Sequence, residues 1–131
     1  MEIHFKIIGV VLMLLAFIHV GFPKYFNWKK ELNSLSLINK QMMIVHTFFV
    51  ALTVFLMGLF CITSATEIIN TPLGKKLSFG LGLFWFIRFA VQFFGYSSIL
   101  WKGKKFETTM HILFSLLWIY LTTVFFLAYF L

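Results

Sequence analysis

An all-α membrane bundle of four spans is the fold class these 131 residues predict, and three observations carry it. The chain is 61% hydrophobic and only 11% charged, with a mean hydropathy of +0.96, so no soluble shell can be built around it. Its apolar residues gather into four stretches, each near the ~20 residues a helix needs to cross a hydrocarbon core of about 30 Å. The basic residues are nearly all lysines at or between the ends of those stretches.

The first span is read over residues 5–22, "FKIIGVVLMLLAFIHVGF". A lysine ahead of an apolar run invites a secretory-signal reading. This run is too long, no small-residue cleavage site follows it and three more spans come after, so it is expected to be a retained first helix. Pro23 ends it. The next segment, "PKYFNWKKELNSLSLINK", sets Tyr25, Phe26 and Trp28 before Leu32, Leu35, Leu37 and Ile38 among polar residues, which suits a short helix lying in the membrane interface. The second span covers 41–64. "SATEIINTPLGKK" follows, with Thr-Pro-Leu-Gly read as a turn. The third span covers 77–98, and the fourth, after "WKGKKFE", covers 108–131. Short connections leave residues 1–131 as a single four-helix domain in an up-and-down bundle.

Lysine distribution gives an orientation. Lys24, Lys29, Lys30, Lys40, Lys102, Lys104 and Lys105 lie on one side, against Lys6, Lys75 and Lys76 on the other. The positive-inside rule puts both lysine-rich loops in the cytoplasm and both termini outside, in a membrane expected to be the bacterial inner membrane. The net charge of +7 is thus assigned to topology and to anionic lipid rather than to nucleic acid.

Known motif chemistry is absent: there is no GxxxxGK[ST], GxGxxG, HExxH or CxxC, and no internal repeat. Cys61 is the only cysteine, which excludes an intramolecular disulfide and a multi-thiolate site. Nucleophilic catalysis lacks an acid, base and nucleophile in register, since Ser97, Ser98 and Ser115 are only loosely near histidines. Nineteen phenylalanines, with Trp85, Trp101 and Trp118, are expected to face lipid or pack the bundle.

The histidines carry the functional argument. His19 lies about four residues before the end of the first span, His46 about five after the start of the second, and His111 about four after the start of the fourth. At 1.5 Å per residue each is roughly 6–8 Å from its span's cytoplasmic end, so the three imidazoles are expected to share one layer. His4 is at the opposite face. Glu107, His111 and Ser115 follow one another at i+4 on the fourth span. Arg88, Gln92 and Gly95 make a polar stripe on the third, expected to face them. An intramembrane arginine costs roughly 2.5–3.5 kcal/mol on insertion scales, and it marks a candidate site.

Two cofactor chemistries suit that layer. His19, His46 and His111 with Glu107 are a ligand set for zinc, copper or ferrous iron, with Met42 and Met43 as soft additions for copper. Glu107 serves equally as an orienter of a ligating imidazole. Alternatively, His46 and His111 face each other from diagonal helices, an arrangement similar to the bis-histidine scheme of b-type cytochromes. That resemblance implies a haem b ligated by His46 and His111, with Gly21 and Gly95 making room for the macrocycle and Arg88 or lysines meeting its propionates. His19 falls outside it.

A membrane histidine also simply hydrogen-bonds a neighbouring helix. The sequence names no reaction, and it sets three functional classes side by side. One is a metal or haem protein for redox work. The second is a small solute or proton carrier in which Arg88 and Gln92 contact an anion or substrate. The third is an accessory subunit of a larger membrane complex, homo-oligomerisation being compatible with each.

Overall fold

The computed structural model of the chain describes residues 1–95, 98–100 and 102–131. Ser97, set aside above as a nucleophile, and Trp101, expected to pack or face lipid, lie outside the described residues. Every described element is helical: α1 (Glu2–Val20), α2 (Phe22–Tyr25), α3 (Trp28–Glu31), a 3-10 turn (Leu32–Ser34), α4 (Leu37–Thr63), α5 (Ala65–Asn70), α6 (Pro72–Phe94), a second 3-10 turn (Ser98–Leu100) and α7 (Lys105–Phe130). Of these, α1, α4, α6 and α7 are long and apolar enough to cross a membrane.

Helix boundaries follow local chemistry more than the edges of the apolar runs. Ser36 caps α4, its hydroxyl facing the Asn39 N–H at 3.5 Å, so the helix takes in Leu37 and Ile38 instead of leaving them to an interfacial helix. The short helix expected between the first two spans is therefore two single turns and a 3-10 turn. Asn27, at φ 54°, separates α2 from α3 in the left-handed region that asparagine tolerates. Pro23 stands in the first turn of α2, where its missing N–H costs nothing.

Thr-Pro-Leu-Gly is a helix start and not a free turn. Thr71 accepts from the Gly74 N–H at 2.9 Å, and Pro72 is the first residue of α6. The third helix accordingly runs five residues ahead of the predicted span and closes at Phe94. At 27 and 26 residues, α4 and α7 are about 40 Å long, well beyond a hydrocarbon core.

Two compact units divide the chain, residues 3–65 and residues 1–2 with 66–131. In the first, α1 and α4 run antiparallel. A Cβ at Gly58 would stand 2.6 Å from the Gly9 carbonyl oxygen, and one at Gly9 2.7 Å from that of Gly58. Two glycines thus let the backbones touch, a way helices associate where lipid removes the hydrophobic drive between them. Phe17 and Phe55 meet edge to face farther along, with centroids 6.0 Å apart. Over its first half α4 is largely uncovered, with Met42, Ile44, Val45, Phe48 and Phe49 exposed.

In the second unit, α6 and α7 form an antiparallel hairpin with a seven-residue rhythm. Ser78 donates to the Phe125 carbonyl at 2.6 Å. One heptad on, Trp85 stacks on Trp118 with centroids 5.0 Å apart, and one further heptad brings Gln92 to His111. Residues at 78, 85 and 92 thus meet residues at 125, 118 and 111. A repeat of seven keeps one seam facing the partner helix. Gly82 lies within it, where a Cβ would come 2.8 Å from the Phe126 ring.

Candidate functional site

The polar end of the α6–α7 hairpin gathers Arg88, Gln92, His111 and Ser115. Arg88 Nη1 donates to Gln92 Oε1 at 3.1 Å, a bond along one face of α6. Across the hairpin, Gln92 Nε2 lies 3.1 Å from His111 Nδ1 and 3.5 Å from the His111 carbonyl oxygen. The Ser115 hydroxyl donates to that carbonyl at 2.7 Å. Gln92 is 7% exposed and Ser115 8%, so both are inside the protein.

Donor chemistry fixes the direction of this chain. A guanidinium only donates, so the Gln92 amide must turn its oxygen to Arg88. Its NH₂ group then faces His111, and Nδ1 must be the unprotonated, accepting nitrogen. His111 in this arrangement is the neutral tautomer with its proton on Nε2.

Aromatic rings enclose the network. The Arg88 guanidinium carbon lies 5.0 Å from the centre of the Trp118 ring, within cation–π range. Trp118 stacks with Trp85 and with Phe114, and Phe93 meets the His111 ring edge on. Among the described residues, the buried indole N–H groups of Trp85 and Trp118 and the Thr122 hydroxyl have no hydrogen-bond partner. A buried donor without an acceptor is costly. Of these three groups, the two indoles can only donate.

The structure thus brings together Arg88, Gln92 and His111, the two stripes the sequence sets facing each other. Glu107, one turn before His111 on α7, is exposed. Gly95 follows α6 as its C-cap, and a Cβ there would meet Val91 of its own helix at 2.8 Å. Gly21 is exposed between α1 and α2.

His19 and His46 belong to the other unit. The Nδ1–H of His19 donates to the Leu15 carbonyl at 2.9 Å, its ring packed on Phe22 at 4.7 Å. His46 donates in the same way to the Met42 carbonyl at 2.8 Å, on the exposed first half of α4. Counted from helix ends, His19 is one residue before the last of α1, His46 nine after the first of α4 and His111 six after the first of α7. Their distances from those ends are therefore unequal, about 1.5, 13 and 9 Å. The predicted spans begin at 41 and 108, and α4 and α7 start four and three residues earlier. Among the described residues, no group of three or more His, Cys, Asp or Glu side chains is placed to hold a metal ion.

Sequence reasoning passed over Trp85 and Trp118 as site residues. The signal was present in their spacing, since Trp85 precedes Gln92 by seven residues and Trp118 follows His111 by seven. No protein-family model matches this chain, and no curated protein or solved structure does either.

Proposed function

We propose that the protein is a small carrier of an anionic solute, coupled to protons. It would sit in a bacterial inner membrane as an up-and-down bundle, both termini outside and the lysine-rich loops in the cytoplasm. The observation that carries the reading is Gln92, a buried amide joining Arg88 to His111 inside a hairpin long and apolar enough to span a membrane. An intramembrane arginine with a polar partner marks a solute or proton path. The two unpartnered indole donors suit a ligand that supplies only acceptors, which an anion does.

The amide supplies the coupling. Protonation of His111 places a hydrogen on Nδ1, where it opposes the Gln92 NH₂ group. Rotating the amide by half a turn presents Oε1 to the imidazolium and NH₂ to Arg88, two donors that repel each other. His111 protonation therefore breaks the Arg88–Gln92 bond and favours an anion at the guanidinium. Acid favours anion binding, and by linkage anion binding favours proton uptake.

Uptake of labelled lactate, phosphate and iodide into proteoliposomes tests the reading. Saturable uptake of one of them, driven by an inward proton gradient and lost in Arg88→Gln, is the expected result. Rates equal to empty liposomes for all three anions would end it.

Metal binding is a second reading, favoured by one observation. His19 and His46 each use Nδ1–H on a backbone carbonyl, which leaves the Nε2 lone pair as the ligating atom and orients the ring as ligating histidines are oriented. Elemental analysis of untagged protein beside His46→Ala decides it. About one equivalent of iron, copper or zinc lost in the variant would support it, and absence of metal from both would exclude it, haem included.

A further inference from the structure

We infer that the segment between α1 and α4 holds a binding site for the phosphate headgroup of an anionic phospholipid, an inference that rests on α1 and α4 spanning a membrane and not on the carrier reading. A cleft of about 530 Å³ opens there, between the short turns of α2 and α3 and the first two turns of α4. Lys24, Lys29 and Lys40 line it with Trp28, Leu32 and Ile44. Three lysines therefore border one concavity whose lining is mostly apolar, and no acidic residue is among those that line it. Glu31, the nearest acid in sequence, is exposed on α3.

The walls distinguish a lipid from a free anion. Lys40, Ile44 and Phe48 succeed one another at four-residue steps, so they share one face of α4. That face passes from a cation through the cleft's apolar wall to a phenylalanine 60% exposed. A phosphate bound among the lysines would direct its glycerol against Leu32 and Ile44 and an acyl chain along Phe48. Trp28, half-buried in the cleft, is the residue type that favours the headgroup level. Inorganic phosphate would use the lysines and leave the apolar wall without a role.

Native mass spectrometry of the detergent-purified full chain, titrated with dioleoylphosphatidylglycerol or dioleoylphosphatidylcholine, tests the assignment. One phosphatidylglycerol retained per chain, with phosphatidylcholine lost, is the expected result. Lys24→Gln, Lys29→Gln and Lys40→Gln together should weaken retention roughly a hundredfold, each lysine beside an anionic headgroup being worth about a factor of five. Lys102→Gln, Lys104→Gln and Lys105→Gln together remove the same charge outside the cleft and should leave retention unchanged. Arginine at the three cleft positions should restore it, which separates loss of the site from loss of the fold. Equal weakening in the two glutamine triples would overturn the site in favour of diffuse charge, and equal retention of the two lipids would overturn it outright. Displacement of phosphatidylglycerol by equimolar inorganic phosphate would assign the cleft to free phosphate and overturn the lipid.

Discussion

Gln92 joins a guanidinium that only donates to an imidazole nitrogen that accepts, its amide oxygen accepting from the first and its NH₂ donating to the second. Replacing it by leucine removes both bonds from a largely apolar setting. We expect Gln92→Leu to lower hairpin stability by about 1–3 kcal/mol, the range for stranding a buried polar partner, as read by unfolding in mixed detergent. Gln92→Glu makes a sharper prediction. A carboxylate still accepts from Arg88 but cannot donate to Nδ1, so the neutral imidazole should move its proton to Nδ1 and donate to the new acid. Nitrogen-15 chemical shifts of His111 report the tautomer: Nε2–H in the wild type and Nδ1–H in Gln92→Glu. An Nδ1–H tautomer in the wild type would refute the bond direction argued above.

Elements, by contrast, are held by close backbone approach and by the heptad seam, and these differ in how much they tolerate. At Gly58 an added methyl meets the Gly9 carbonyl oxygen, which belongs to the backbone of another helix and cannot swing aside. At Gly82 it meets the ring of Phe126, a side chain with rotamers to use. Gly58→Ala should therefore cost more than Gly82→Ala, the first toward the upper end and the second toward the lower end of the about 1–3 kcal/mol that overpacking costs. Thermal unfolding of the two variants in the same detergent checks the order, and the reverse order would show that α1 and α4 separate readily. The four long helices were legible because hydropathy and length alone define them. Their ends were less so: Ser36 and Thr71 cap α4 and α6 inside segments whose polarity reads as loop, and capping depends on local geometry more than on hydropathy. The facing of Arg88 and Gln92 toward His111 was legible from i+4 spacing. The Trp85 and Trp118 stack was not, because in a chain with 19 phenylalanines an aromatic at a seam resembles one facing lipid.

At the scale of the whole molecule, charge supplies an orientation that packing does not. Seven lysines fall in the segments at 23–40 and 99–107, and three elsewhere. These segments follow α1 and α6 and precede α4 and α7, so they meet the same side of a membrane if the four helices alternate in direction. Lysines within about 15–20 residues of a span end set which side that is, and acidic residues contribute little. The proposed topology thus places position 131 outside and Gly103 inside. Alkaline phosphatase fused after Leu131 should be active and green fluorescent protein at the same point dark, whereas insertions at Gly103, which is exposed with a φ of 79°, should give the opposite pair. Orientation and fold can be separated in the same assay. Changing all seven lysines to glutamine while adding lysines beside Lys75 and Lys76 should invert every reporter, because the apolar spans are untouched and only the bias between sides is reversed. Unchanged reporters in that variant would mean that the hydrophobic spans, in their order of insertion, and not the lysines, decide which way this chain enters the bilayer.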